Sequence, residues 1–217
     1  MRSWIRQFWR ENRTLFIFVL LMVCFRSALA DWNTVPTGSM NPTIIAGDRV
    51  WVNKLAYDIR IPFTGISLKR LSNPVRGDIV TFDSKAADLT LIKRVIGLPG
   101  DTVEMNRNRL TVNGRPAGYR VIGEKGNKLL VEEDLGGMKH MIIISQQPTF
   151  FSSFAPVTVP ADMYLVLGDN RDNSADSRVH GFIPRDEIRG RSRQVILSLD
   201  YDHFYFPRTT RFFKELI

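Results

Sequence analysis

The chain has one long apolar run near its start and many short runs of alternating apolar and polar residues after it. The apolar run extends from Leu15 to Phe25 without a charged residue. Eleven residues rise only about 16 Å as a helix, against about 30 Å for a bilayer core. Residues 14–30 reach about 26 Å if Arg26 snorkels to the headgroups. The pattern predicts a transmembrane anchor over residues 14–30.

The flanks of this run predict its orientation. Residues 1–13 contain four arginines and one acid, Glu11, and Trp32 follows where an interfacial aromatic is expected. Residues 1–13 are therefore predicted to be a cytoplasmic basic segment, with the rest of the chain outside. Two alternatives stay open: a cytosolic core helix, and a cleavable signal peptide ending at Ala28-Leu29-Ala30. Both the anchor and the signal peptide imply an exported body.

After residue 43 the apolar positions follow the two-residue period of strands, separated by Gly, Pro, Asn and Asp. The strand candidates are Arg49–Leu55, Ile79–Phe82, Leu91–Ile96, Thr102–Met105, Arg109–Val112, Lys128–Glu132, His140–Ile144, Tyr164–Leu167 and Val195–Leu199. No amphipathic helical stretch of ordinary length occurs among them. The body is predicted to be mainly β, with antiparallel sheets.

The distribution of hairpin signals and charged residues indicates that this body has two parts. Residues 101–160 are rich in both, and acids such as Glu133 are of the type expected at the surface. They are predicted to form a smaller inserted β sub-domain between two parts of a core, residues 31–100 and 161–217. The segment Tyr57–Arg76 is predicted to project from the core as a loop or ribbon.

Composition and charge limit the classes of binding partner that the protein can have. The net charge of +8 and the pI near 9.9 suggest an anionic neighbour, either phospholipid or nucleic acid. Nucleic acid is disfavoured because the charge is dispersed and the body is exported. The single cysteine, Cys24, excludes an intrachain disulfide, and the three histidines are scattered, so no metal site is predicted.

Three stretches carry candidate chemistry. In the first, Pro36 to Thr43, prolines on both sides restrict the backbone around Ser39, and Gly38 leaves room beside it. A serine presented in this way has the fixed, uncrowded oxygen that a nucleophile needs. The alternative is an ordinary turn.

The second stretch is Leu91 to Asp101. A lysine becomes a base near neutral pH when burial disfavours its ammonium form, and strand alternation places Leu91 and Val95 on the face of Lys93. Arg94 lies equally between two isoleucines, so periodicity does not choose between them. Arginine stays protonated, which leaves lysine as the possible base. The alternative is a surface lysine.

The third stretch is Gly168 to Arg178. Its alternating Asp and Ser residues could belong to a polar loop or a calcium loop. A calcium loop fails on spacing, because Ser177 occupies the required glycine position and Ile183 the position of the final glutamate.

Together these blocks resemble bacterial type I signal peptidases, the membrane-bound serine proteases that remove signal peptides. The matching blocks, in order, are Phe25–Thr43, Arg76–Asp78 with its strand, Leu91–Asp101, and Gly168–Arg178 running on to Pro184. The resemblance implies an antiparallel coiled β-sheet catalytic core with a small β insertion, after one retained N-terminal transmembrane helix. It also implies a bacterial inner-membrane protein with a cytoplasmic N-terminus and a periplasmic catalytic domain.

The resemblance also implies roles for individual residues and no cofactor. Ser39 would be the nucleophile and Lys93 the general base, and the Ser39 N–H and Thr37 hydroxyl would form the oxyanion hole. Ser174 would orient the lysine amine, beside a supporting Asp176–Arg178 ion pair. A preprotein signal peptide would add as a strand, presenting an Ala-x-Ala site to pocket walls formed by Val35, Pro36 and Ile92.

Three other functions would each fit part of the sequence. A self-cleaving protease of the SOS-repressor type would need a DNA-binding helix-turn-helix and a cytoplasmic body. An anchored, non-catalytic β-domain that binds exported polypeptides or lipid would have no use for both Ser39 and Lys93. A dedicated single-substrate relative of the family would keep the chemistry and narrow the substrates.

Overall fold

The computed structural model describes residues 2–216, with side chains from residue 7 onward. Helix α1, Arg2–Ala28, contains most of the segment for which an anchor was predicted, and its apolar run is limited to residues 15–25. Measured against a bilayer, no helix within residues 2–216 combines the length and the apolarity of a membrane span.

The strands after α1 are short, with one exception. They are β1 Ala30–Thr34, β2 Asp48–Asn53, β3 Asp58–Arg60, β4 Ser67–Arg70, β5 Ile79–Ser84, β6 Leu89–Gly97, β7 Thr102–Asn106, β8 Arg109–Val112, β9 Arg115–Pro116, β10 Gly118–Lys125, β11 Lys128–Asp134, β12 Lys139–Ser145, β13 Phe154–Thr158, β14 Met163–Leu167, β15 Ile183–Pro184, β16 Ile188–Asp200 and β17 Phe206–Pro207. A short helix, α2, spans Ser177–His180.

The strands form antiparallel sheets, so the prediction of a mainly β protein is confirmed. Within residues 2–216 the main sheet has the order β1-β2-β16-β5-β6-β14-β15, with β17 on β16. The strands between residues 102 and 158 pair among themselves as β13-β7-β8-β9 and β10-β11-β12. The domain boundaries at residues 101 and 160 stay a prediction.

The predicted projecting ribbon is the hairpin β3–β4. Its base is held by Tyr57, which is buried in the core, and its tip is exposed at Phe63. The Phe63 backbone N–H donates to Ser27 Oγ (2.7 Å), which joins the tip to the end of α1.

Three apolar clusters fill the core. One packs Val80, Phe82 and Val95 of the main sheet with Tyr57, Tyr164, Val166, Ile183 and Ile188. A second joins the main sheet to β7 and β8. The third lies under the segment of Ser39, where Met40 and Ile44 are at most 1% exposed and pack on Val50 and Ile79. Burying each of these two side chains contributes about 1.5–3 kcal/mol, which fixes that segment to the sheet.

Candidate active site

Ser39 lies in a turn that is held from both sides. Within the turn, the Asn41 N–H donates to the Gly38 carbonyl (3.1 Å). From the loop 168–178, the Asn170 backbone N–H donates to the Ser39 carbonyl (3.1 Å), and its side-chain amide donates to the Gly38 carbonyl (2.9 Å). Because the Gly38 and Ser39 carbonyls both accept hydrogen bonds, the backbone that carries the Ser39 side chain is held in place.

Lys93 brings its amine to this hydroxyl. Its Nζ lies 2.7 Å from Ser39 Oγ, and the side chain is 3% exposed. Burial lowers the pKa of Lys93 to about 8, while Asp176 and Asp169 act to raise it and Arg178 to lower it. An amine that loses its proton near neutral pH, in contact with a hydroxyl, is chemically able to act as a base toward it.

Arg94, which periodicity could not separate from Lys93, has a different partner. Its Nε and Nη2 donate to the two Asp169 carboxylate oxygens (2.9 and 2.8 Å), and both side chains are 1% exposed. Thr43 Oγ1 also donates to Asp169 (2.5 Å). Sequence reasoning missed this pair, because no spacing rule joins residues 75 positions apart.

The predicted Asp176–Arg178 ion pair is present. Arg178 Nε and Nη2 donate to the two Asp176 oxygens (2.8 and 2.7 Å), and the Gly168 N–H donates to one of them (2.9 Å). The pair therefore closes the loop that begins at Gly168. Its supporting role in catalysis stays a prediction.

Ser174 lies beside the serine turn, but the predicted hydrogen bond to the Lys93 amine is not formed. The buried Ser174 Oγ has no hydrogen-bond partner among the described residues, and the amine contacts Ser39 instead. Gly168 brings the loop and the turn together: a Cβ there would overlap the Ser174 hydroxyl and lie 2.5 Å from the Ser39 carbonyl oxygen.

The loop is also fastened to the region 102–158. Arg171 forms a two-pronged ion pair with Glu133, and both side chains are at most 1% exposed. His140 Nε2 lies 3.2 Å from the same carboxylate. Burial acts to raise the pKa of Glu133, but Arg171 and His140 hold it well below its ordinary value. The surface position expected for Glu133 was wrong, because its buried partner is invisible in the sequence.

A groove of about 390 Å³ runs from this site between β1 and β6. Its lining includes the predicted Val35, Pro36 and Ile92, together with Thr37, Ser39 and Lys93. The lining also includes residues that were not predicted to contact the substrate: Trp32, Asn33, Met40, Ile44, Leu89 and Thr90. β1 is an end strand of the main sheet, and β14 pairs with β6 only at Arg94, Val95 and Gly97, so both strand edges along the groove are open.

A metal site was not predicted, and residues 2–216 contain no group of three or more His, Cys, Asp or Glu side chains placed to hold a metal ion. The groove meets the Ser39 hydroxyl in contact with the buried Lys93 amine. A hydroxyl in contact with an amine that can lose its proton is an arrangement that hydrolases acting through a serine use.

Comparison with known proteins gives the family. Residues 5–197 match the family described as signal peptidase, peptidase S26. The chain belongs to this family and is a serine endopeptidase.

Individual relatives are similar over most of the chain. It is 35% identical to signal peptidase I of Pseudomonas aeruginosa, across 86% of this chain and 72% of the relative. It is 34% identical to a probable signal peptidase I-2 of Synechocystis, across 85% and 71%. A crystal structure of a signal peptidase I from Enterococcus faecalis aligns with 29% identity and a TM-score of 0.37, covering 56% of this chain and 97% of that one.

Proposed function

We propose that this protein removes N-terminal signal peptides from exported preproteins by cutting after an Ala-x-Ala site. Ser39 is the nucleophile and Lys93 the general base. The observation that carries the proposal is the 2.7 Å contact between Ser39 Oγ and the buried Lys93 amine, whose pKa is about 8. About a tenth of such an amine is neutral at pH 7, against less than about a thousandth for an ordinary lysine.

In the proposed mechanism, neutral Lys93 takes the proton of Ser39 as Oγ attacks the carbonyl carbon of the scissile bond. The ammonium then gives this proton to the leaving nitrogen, and an acyl-enzyme forms. A water molecule that loses a proton to Lys93 then attacks the ester. The ammonium returns this proton to Ser39 Oγ as the signal peptide leaves. While Lys93 is protonated, the unpartnered Ser174 hydroxyl is available to accept a hydrogen bond from its ammonium group.

The negative oxygen of the tetrahedral intermediate needs donors in place beforehand. The Ser39 backbone N–H and the Thr37 hydroxyl supply them in this proposal. Thr37 lines the groove and is exposed to it, which supports the assignment. Threonine carries the same donor as a serine would, although its methyl group restricts χ1.

The substrate binds in the groove as an added strand. The open edges of β1 and β6 offer backbone groups on both sides of an extended peptide. Val35 and Ile92 also pack in the core cluster beneath the serine turn, so the walls that they form with Pro36 are fixed. Fixed apolar walls leave room for small side chains, which fits an Ala-x-Ala site.

Attachment to the bacterial inner membrane is part of the proposal, with residues 1–13 in the cytoplasm and the catalytic body on the periplasmic side. The apolar residues of α1 from Leu15 to Phe25 are mostly exposed, as α1 has few contacts with the body. Exposed aromatic rings at Phe204, Tyr205, Phe206 and Phe213 add an apolar surface suited to phospholipid. Release of the protein from membranes by alkaline carbonate would contradict a spanning anchor.

The test is cleavage of a preprotein with an Ala-x-Ala site, in detergent, by the wild type, Ser39→Ala and Lys93→Ala. Thermal unfolding checks that both variants are folded. We expect the wild type to cut after the second alanine and both variants to be inactive. Cleavage by Lys93→Ala would rule out the lysine base, and an inert wild type would favour an anchored binding module or a dedicated relative.

A further inference from the structure

A second cavity of about 360 Å³ adjoins the substrate groove and has no part in the function proposed so far. Asn33 and Thr90 line both spaces, so the groove opens into the cavity between the middle of β1 and the start of β6. Residues of β2, β5 and β16 also line it, together with the tip of the β3–β4 ribbon and the end of α1.

The lining of this cavity presents hydrogen-bond donors to an incoming group. Arg189 Nε donates to one Asp83 oxygen (2.6 Å) and Thr90 donates to the other (2.8 Å), so both carboxylate oxygens already accept. The two terminal amino groups of Arg189 have no hydrogen-bond partner within residues 2–216, and neither has the Asn33 side chain. The donors left over suit a side chain that ends in acceptor oxygens.

Strand geometry determines which substrate residue reaches the cavity. In an extended peptide, alternate side chains point to the same face. The two small residues of the cleavage site, first and third before the cut bond, face the walls at Val35 and Ile92. Asn33 of β1 lies two residues before Val35, and Thr90 of β6 lies two residues before Ile92. The next substrate side chain on that face therefore meets the opening of the cavity.

We propose that this cavity is a specificity subsite for the fifth residue before the cleaved bond, and that it selects a carboxylate or carboxamide side chain, glutamate above all. Arg189 and Asn33 are the recognising residues. The assignment rests on the proposed function, since it takes its register from the Ala-x-Ala site in the groove.

The test uses the full chain in detergent and four preproteins that differ only at this fifth position, with Glu, Gln, Ala or Lys. For the wild type we expect kcat/KM to be about fivefold higher for Glu than for Ala, and lowest for Lys. Arg189→Gln should bring the Glu and Lys values together, and Asn33→Leu, made separately, should reduce the preference for Glu over Ala. Arg193→Gln, on the same strand outside the cavity, should keep the wild-type preference.

The outcomes separate this inference from the function on which it rests. If the wild type cuts all four substrates equally while Ser39→Ala cuts none, the subsite is overturned and the peptidase stands. A preference that survives both Arg189→Gln and Asn33→Leu also overturns it, because the preference then arises elsewhere. A wild type that cuts none of the four overturns the proposed function and the subsite with it.

Discussion

The pH dependence of cleavage tests whether buried Lys93 is the base. Its pKa of about 8, against an ordinary 10.5, means that the neutral fraction rises about fivefold between pH 7 and pH 8 and at most about twofold above that. The value of kcat/KM reports the free enzyme, so it should follow this curve and level off near pH 9. An ordinary lysine would give a tenfold rise per pH unit up to about pH 10.

Removing either charge of the Asp176–Arg178 pair should shift the pH dependence of kcat/KM, in opposite directions for the two residues. The Asp176 carboxylate acts to raise the pKa of Lys93 and the Arg178 guanidinium acts to lower it. Asp176→Asn should therefore shift the rising limb to lower pH, and Arg178→Gln to higher pH. Both variants loosen the loop and therefore lower the highest kcat/KM reached. The informative quantity is the pH at which kcat/KM rises.

Initial rates on an Ala-x-Ala preprotein between pH 6 and pH 10 measure these limbs. Asp172→Asn is the matched control, since Asp172 lies in the same loop but is not among the charges that shift the Lys93 pKa. The cleavage rate of Asp172→Asn should rise at the same pH as that of the wild type. A wild-type rate that still rises tenfold from pH 9 to pH 10, or limbs of Asp176→Asn and Arg178→Gln that move the same way, would refute the reasoning.

Three further substitutions test the neighbouring geometry. Gly168→Ala should lower kcat by at least about 10² because the new Cβ forces the loop off the serine turn, whereas Gly123→Ala, with nothing within 4 Å, should be silent in the same assay. Glu133→Gln breaks the buried pair with Arg171 and should cost about 3–5 kcal/mol at pH 7 by urea unfolding. That deficit should narrow below about pH 4.5, because the folded pKa of Glu133 is depressed and the wild type loses the pair's contribution as pH falls. Thr37→Val should slow turnover by about 10²–10³ with little change in KM; an unchanged rate would remove the hydroxyl from the oxyanion hole.

The sequence predicted the strands that carry runs of apolar residues. The Leu91–Ile96 run became β6, and the pattern from Thr102 to Val112 became the hairpin of β7 and β8. β16 was predicted only at Val195–Leu199, although it runs for 13 residues from Ile188. Its first half alternates arginines with Gly and Ser, which has no apolar face, and pairing with β2 and β5 makes it a strand.

The candidate site was less predictable than the fold. Motif order placed Ser39 and Lys93 in one site, but the pattern around Lys93 fitted Arg94 equally well. What separates them is Asp169, which takes the Arg94 guanidinium away from the serine. Partners that meet only after folding, such as this pair and Arg171 with Glu133, leave no periodic signal in either segment.

Two ion pairs explain how Lys93 keeps a lowered pKa near two buried carboxylates. Asp169 and Asp176 both act to raise the pKa of Lys93, which would return it to the ammonium form. Each carboxylate, however, is held by its own arginine in a two-pronged pair, Arg94 and Arg178 respectively, with side chains no more than 5% exposed. The paired charges nearly cancel at the lysine, so desolvation decides its pKa. The ion pairs therefore let the fold keep its polar loop packed against the serine turn while the pKa of Lys93 stays near 8.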